Sequence, residues 1–156
     1  MAIDFQKELS KVKKSILTLG AMVEDRVRMA VEAVANRDAD LARTVIKADH
    51  EIDEMEVDIE EECLKILALH QPVAVDLRFL VAVVKINNEL ESIGDQAVNI
   101  AQRVAVIAKQ KQVKFNFDYA DMAQKAQEML KKSLDSLVNL DLDLALHLMD
   151  VFKQFH

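Results

Sequence analysis

At 156 residues the chain is long enough for one domain with a real core. Hydrophobic residues make up 51% and charged residues 30%, with 2 glycines, 1 proline and no tryptophan, which favours long helices packed through Leu, Ile, Val, Ala and Met. The net charge of −7 argues against nucleic acid as a principal ligand, because neutralising phosphates takes clustered Lys and Arg.

The first predicted helix runs from about Ile3 to Asn36. Its apolar seam is Leu9, Val12, Ile16, Leu19, Val23, Val27, Ala30 and Val34, spaced mostly by three and four. Lys7, Lys11, Lys13 and Lys14 near its start read as solvated surface, as do Lys109, Lys111 and Lys114 further on. Asn36-Arg37-Asp38 breaks the pattern, with Asp38 placed to cap the next helix. The second helix is expected from about Ala39 to His70, with a seam of Leu41, Val45, Ala48, Ile52, Met55, Ile59, Cys63 and Ile66. Cys63 is the single cysteine. It rules out an intrachain disulfide, fits a reducing compartment, and falls on the seam as a small buried group. Pro72 ends this helix and suits the first turn of the next.

The third helix is expected to reach about Lys109. Its seam is Phe79, Val83, Ile86, Leu90, Ile93, Ala97, Ile100, Val104 and Ile107, and Gly94 within it is expected to permit a close helix approach. Three long helices joined by short turns predict an antiparallel bundle. A polar linker, 110–116, leads to a fourth helix from about Asp118 to Leu140 and a fifth from about Asp141.

Residues 36–42 (NRDADLA) match 139–145 (NLDLDLA) at five of seven positions, an internal repeat at an offset of 103. The fourth helix thus corresponds to the first and the fifth to the second. The expected organisation is all-α: an antiparallel three-helix bundle over 1–110, then a partial second bundle over 117–156, a helical hairpin lacking its third helix. Phe152 and Phe155 have no evident partner there, which points to a shortened chain or to completion by a second one.

Two acidic pairs stand out. Asp49 and Asp53 on the second helix, and Glu91 and Asp95 on the third, are each four apart and so share a helix face. Pro72 lies midway, 19 residues from both Asp53 and Glu91 and 23 from both Asp49 and Asp95. A hairpin at Pro72 would set the pairs level, flanking the apolar seam, as oxygen ligands for a hard cation such as Mg²⁺, Ca²⁺, Mn²⁺ or Fe³⁺. Glu56 and Asn88 are level by the same count and are candidates for an outer ligand. His50 adjoins Asp49 but lies about 100° around the helix. The competing explanation is an ordinary solvated face, since 27 acidic residues make such pairs common. A ferritin-like di-iron centre needs Glu-x-x-His, and none of the four histidines has Glu three places earlier. With 2 glycines no Gly-rich phosphate loop is built. No apolar stretch suits a signal peptide or a membrane span, so a cytoplasmic protein is expected.

Residues 71–78 (QPVAVDLR), 89–95 (ELESIGD) and 19–24 (LGAMVE) together resemble the PhoU family of phosphate-uptake regulators. The resemblance implies two three-helix bundles related by a repeat. It implies Glu/Asp-x-x-x-Asp motifs that hold metal ions, iron and zinc included, carried over here onto Asp49, Asp53, Glu91 and Asp95. It implies a non-enzymatic, cytoplasmic and often homodimeric regulator. Such a protein couples the ATPase of a phosphate ABC transporter to a phosphate-sensing histidine kinase, restrains the phosphate-starvation response, and meets the membrane only through those partners. The second repeat departs from the pattern: Asp150 is followed four residues later by Gln154, and the helix carrying its other motif is missing. The alternative is a metal-free helical adaptor or oligomerisation protein whose acidic faces are only solvated.

Overall fold

A computed structural model describes residues 2–109, 119–139 and 150. Four helices are present among them: α1 (Ala2–Asn36), α2 (Ala39–His70), α3 (Ala74–Ile107) and α4 (Tyr119–Val138). The linker 110–116 and the fifth helix with its Asp150/Gln154 positions fall, apart from Asp150, outside the described residues.

The two turns of the bundle are short because side-chain and backbone groups close them at once. Arg37 takes a left-handed φ of 51°. Its N–H donates to the Val34 carbonyl and the Asp38 N–H to the Ala33 carbonyl, the paired bonds that end a helix. Asp38 then caps α2, its carboxylate accepting from the N–H groups of Asp40 and Leu41 at 3.1 and 3.0 Å. One residue therefore serves the end of α1 and the start of α2. The Arg37 guanidinium also donates to the Ile107 carbonyl (3.3 Å), tying the turn to the far end of α3.

At the opposite end Gln71, left-handed at φ 45°, donates to the Leu67 carbonyl and ends α2. Pro72 does not enter the first turn of α3. Val73 is extended and Ala74 left-handed (φ 54°), so the helix starts two residues later than the proline. Nearby, His70 Nε2 lies 2.8 Å from Glu8 Oε2 and its ring sits 5.0 Å from that of Phe5, fastening α1 to the hairpin end.

The core joins Leu9, Val12, Ile16, Leu19 and Val23 of α1 to Ile52, Ile59, Cys63 and Ile66 of α2 and Phe79, Val83, Ile86, Leu90 and Ile93 of α3. Towards the Arg37 turn it narrows to a cluster dominated by Ala30, Ala33, Ala42, Ala97 and Ala101. The α3 seam departs from expectation at its end. Ile100 and Ile107 are exposed and Ala101 is buried instead, while Val104 is buried as expected. A strict 3.5-residue repeat drifts about 20° per heptad on a straight helix of 3.6 residues per turn, so after three heptads the buried position moves on by one.

α4 lies against α1 and touches α3 but not α2. Leu130 and Leu134 are buried there, and Gln127 Nε2 donates to the Glu24 carbonyl at 3.3 Å. Glu24 and Gln127 are 103 apart, the offset of the internal repeat, so a residue touches its own equivalent. The glycine that the packing requires is Gly20. A Cβ there would sit 2.0 Å from Leu134 Cδ1. Gly94 does not make the expected close approach, since a Cβ on it would meet Ile52 Cγ2 at 3.4 Å, an ordinary contact.

Candidate metal centre

The α2–α3 hairpin brings together three of the four carboxylates that the count from Pro72 sets level. One carboxylate oxygen each of Asp49, Asp53 and Asp95 lies within 4.8 Å of the other two. The fourth, Glu91, stands one turn before Asp95 on α3 and is not one of the converging groups. Asp49 is half-buried and Asp95 exposed, so the trio straddles the groove at the edge of the core.

Carboxylates this close disturb one another. Glu91 is pushed up to about 7, first by burial, then by the hydrogen bond to Asp95, then by the charges of Asp95, Asp53 and Glu56. Asp49 is raised by burial and by Asp53 and Asp95, with His50 acting the other way. Burial also raises Glu56, followed by Glu60, Asp53 and Asp95, which draws this residue into the same field. The charges raising these three groups are all carboxylates. At roughly 4 Å such a pair repels by about 1 kcal/mol under full water screening and about 4 kcal/mol at an effective dielectric of 20.

The donor set fits a hard cation. It is all oxygen and strongly negative. Asp49 Oδ1 is buried with no hydrogen-bond partner among the described residues, a costly state for a carboxylate that a bound cation would relieve. His50 is not one of the converging groups. It is exposed, and its Nδ1 lies 2.7 Å from the Lys47 carbonyl.

Sequence spacing overlooked Asn87. Asn88, the expected outer ligand, is exposed, whereas Asn87 is wholly buried and its Nδ2 donates to the Glu56 carbonyl across the helix pair at 2.9 Å. The signal for it was a second buried row on α3, Leu80, Asn87 and Gly94, spaced by sevens beside the main seam. A central helix with three neighbours buries a wider stripe than a coiled-coil seam.

The fold and this groove define an all-helical bundle whose hairpin displays an acidic cluster between two helices. Comparison with known proteins narrows that class. The PhoU domain family matches residues 16–104. The phosphate-specific transport system accessory protein PhoU homolog of Aquifex aeolicus (strain VF5) is 37% identical over 139 residues, 89% of this chain and 63% of that protein. The phosphate-specific transport system accessory protein PhoU of Escherichia coli (strain K12) is 34% identical over 144 residues, 92% of this chain and 60% of that protein. The crystal structure of PhoU from Pseudomonas aeruginosa superposes with a TM-score of 0.84 at 35% identity, covering 92% of this chain and 69% of that one. That of the phosphate transport system regulatory protein PhoU from Streptococcus pneumoniae gives 0.76 at 31%, covering 85% and 62%. The chain belongs to the PhoU family. It spans about three-fifths of the length of the curated relatives named here.

Proposed function

We propose that this protein is a metal-binding regulator of phosphate uptake. It would act without catalysis, in the cytoplasm, by coupling a phosphate ABC transporter to a sensor kinase and restraining the starvation response when phosphate is plentiful. Family membership supports the phosphate role, since the relatives are named accessory proteins of phosphate-specific transport. Among the described residues no helix is long and apolar enough to cross a membrane. The single observation that carries the metal reading is the convergence of Asp49, Asp53 and Asp95, one of which, Asp49, has a buried Oδ1 with no partner among the described residues.

Asp49, Asp53 and Asp95 would hold the cation, with Glu91 and Glu56 beside them. Bound there, it supplies positive charge that offsets their mutual repulsion and ties α2 to α3. The repeat contact between Glu24 and Gln127 supports reading α4 as the start of a second bundle equivalent to the first. A homodimer belongs to the same proposal.

Two experiments test it. Elemental mass spectrometry on protein purified without chelator or His tag, then re-loaded with iron, zinc, manganese or magnesium, should find stoichiometric metal. The Asp49→Asn/Asp53→Asn double variant should lose it. No uptake by the parent protein under any loading would leave the cluster a solvated face and return the protein to a metal-free adaptor. In a bacterium deprived of its own PhoU, the chain should lower a phosphate-starvation reporter at high phosphate. An unchanged reporter with soluble protein present would count against the regulatory role.

A further inference from the structure

The acidic trio occupies only half of the groove in which it lies. The groove is the outer seam of α2 and α3, fixed by Asn87 reaching Glu56 and by Ile52 lying under Gly94. Followed toward Pro72 along the same faces, α2 presents Val57 and Leu64, four and eleven residues after Asp53. On α3 it presents Val81 and Leu77, fourteen and eighteen residues before Asp95. These spacings are close to whole helical turns, so all four lie in line with the carboxylates. They are exposed: Val57 47%, Leu64 54%, Leu77 39% and Val81 42%. α4 packs on the other side, against α1, and makes no contact with α2.

The result is a groove with two ends of different chemistry. Asp49, Asp53 and Glu56 of α2 and Glu91 and Asp95 of α3 make one end acidic, and the four aliphatic side chains make the other largely apolar, with Glu60 set between Val57 and Leu64. The basic residues of these stretches, Lys65 on α2 and Arg78 and Lys85 on α3, lie roughly 80–120° around their helices from this line. A line of exposed aliphatic side chains of this kind marks a contact surface. A seam between two antiparallel helices accepts a third helix, as α1 does on the inner side. Charge decides between candidate occupants. A second copy of this chain would bring net charge −7 and the same carboxylates against these. A helix with an aliphatic stripe and basic residues towards one end complements both halves.

We propose that the outer α2–α3 groove is the docking site for a basic amphipathic helix of a partner protein. The distance from Asp49 to Leu64 along α2 is fifteen residues, so the occupant is a helix of about 15 residues, or about 22 Å. Its aliphatic stripe lies on Val57, Leu64, Leu77 and Val81, and its Lys or Arg residues reach the acidic end. The apolar half does not depend on the cation. A cation there competes with the basic residues of the occupant and weakens its binding.

Fluorescence anisotropy with a defined probe tests this. The probe is a labelled 16-residue helical peptide with leucines at spacings of three and four and lysines at one end. The reference is the same peptide with glutamate for lysine. In EDTA the full chain should bind the lysine peptide at least tenfold more tightly than the glutamate peptide, and 0.5 M salt should erode the difference. Leu64→Glu and Val81→Glu should each weaken binding at least tenfold. Leu17→Glu, which alters an exposed position on α1 outside the groove, should not. All these sites are exposed, and circular dichroism confirms that each variant is folded. Equal affinity for both peptides would overturn the proposal, as would indifference to both groove variants. Sedimentation showing a dimer that Val81→Glu dissociates would overturn it in favour of a second copy. Because the assay runs in EDTA, failure of the metal reading leaves its outcome unchanged.

Discussion

Glu91 is the residue at which burial and like charge act most visibly together. Its carboxyl, ordinarily near 4.5, is held at about 7 in the fold. A folded chain that binds this proton more tightly than the unfolded chain is stabilised by it. The contribution is fully present below about pH 4.5 and is lost as the pH rises through about 7. The metal-free protein is therefore expected to melt several degrees higher at pH 5.5 than at pH 7.5, and Glu91→Gln should flatten that difference in a calorimetric pH series. A cation held beside Glu91 would favour loss of the same proton, so its affinity should fall as the pH drops below 7. The acidic spacings were legible in sequence because a hairpin centred on Pro72 converts residue number into height. What spacing could not convey was burial. Asn87 and Asn88 are adjacent letters, and only the position of α1 and α2 around α3 makes one a wholly buried donor and leaves the other in water.

Among the elements, the two glycines carry opposite burdens. Gly20→Ala forces the buried Leu134 side chain out of its place on α1, and overpacking of this kind costs roughly 1–3 kcal/mol. Gly94→Ala meets only an ordinary contact with Ile52 and removes a flexible residue from the middle of α3. It should gain about 0.5–1 kcal/mol. Urea unfolding of the two variants checks both signs. The expectation drawn from sequence attached close approach to the wrong glycine, because a repeat-to-repeat contact between α1 and α4 leaves no periodic trace. Helix ends were easier to read. Asp38 and Pro72 act through backbone chemistry that their side chains dictate locally, and α2 spans the residues its pattern predicts. Pro72 was misplaced by two residues because Val73 and Ala74 absorb the reversal of the chain before α3 begins.

Taken as a whole, the molecule has a tightly joined hairpin end and an alanine-lined end. Cation binding across α2 and α3 should raise its melting temperature in proportion to the logarithm of metal concentration, a dependence that Asp53→Asn abolishes in differential scanning calorimetry. The meeting of α1 and α4 has a further consequence. Gln127 donates to the carbonyl of Glu24, its own counterpart under the repeat, and Leu134 fills the space over Gly20 in the same antiparallel sense. A position that touches its own equivalent is what a two-fold axis produces between identical subunits. The crossing of these helices therefore has the form of a homodimer interface closed within one polypeptide, as a gene duplicated and fused in tandem would leave it.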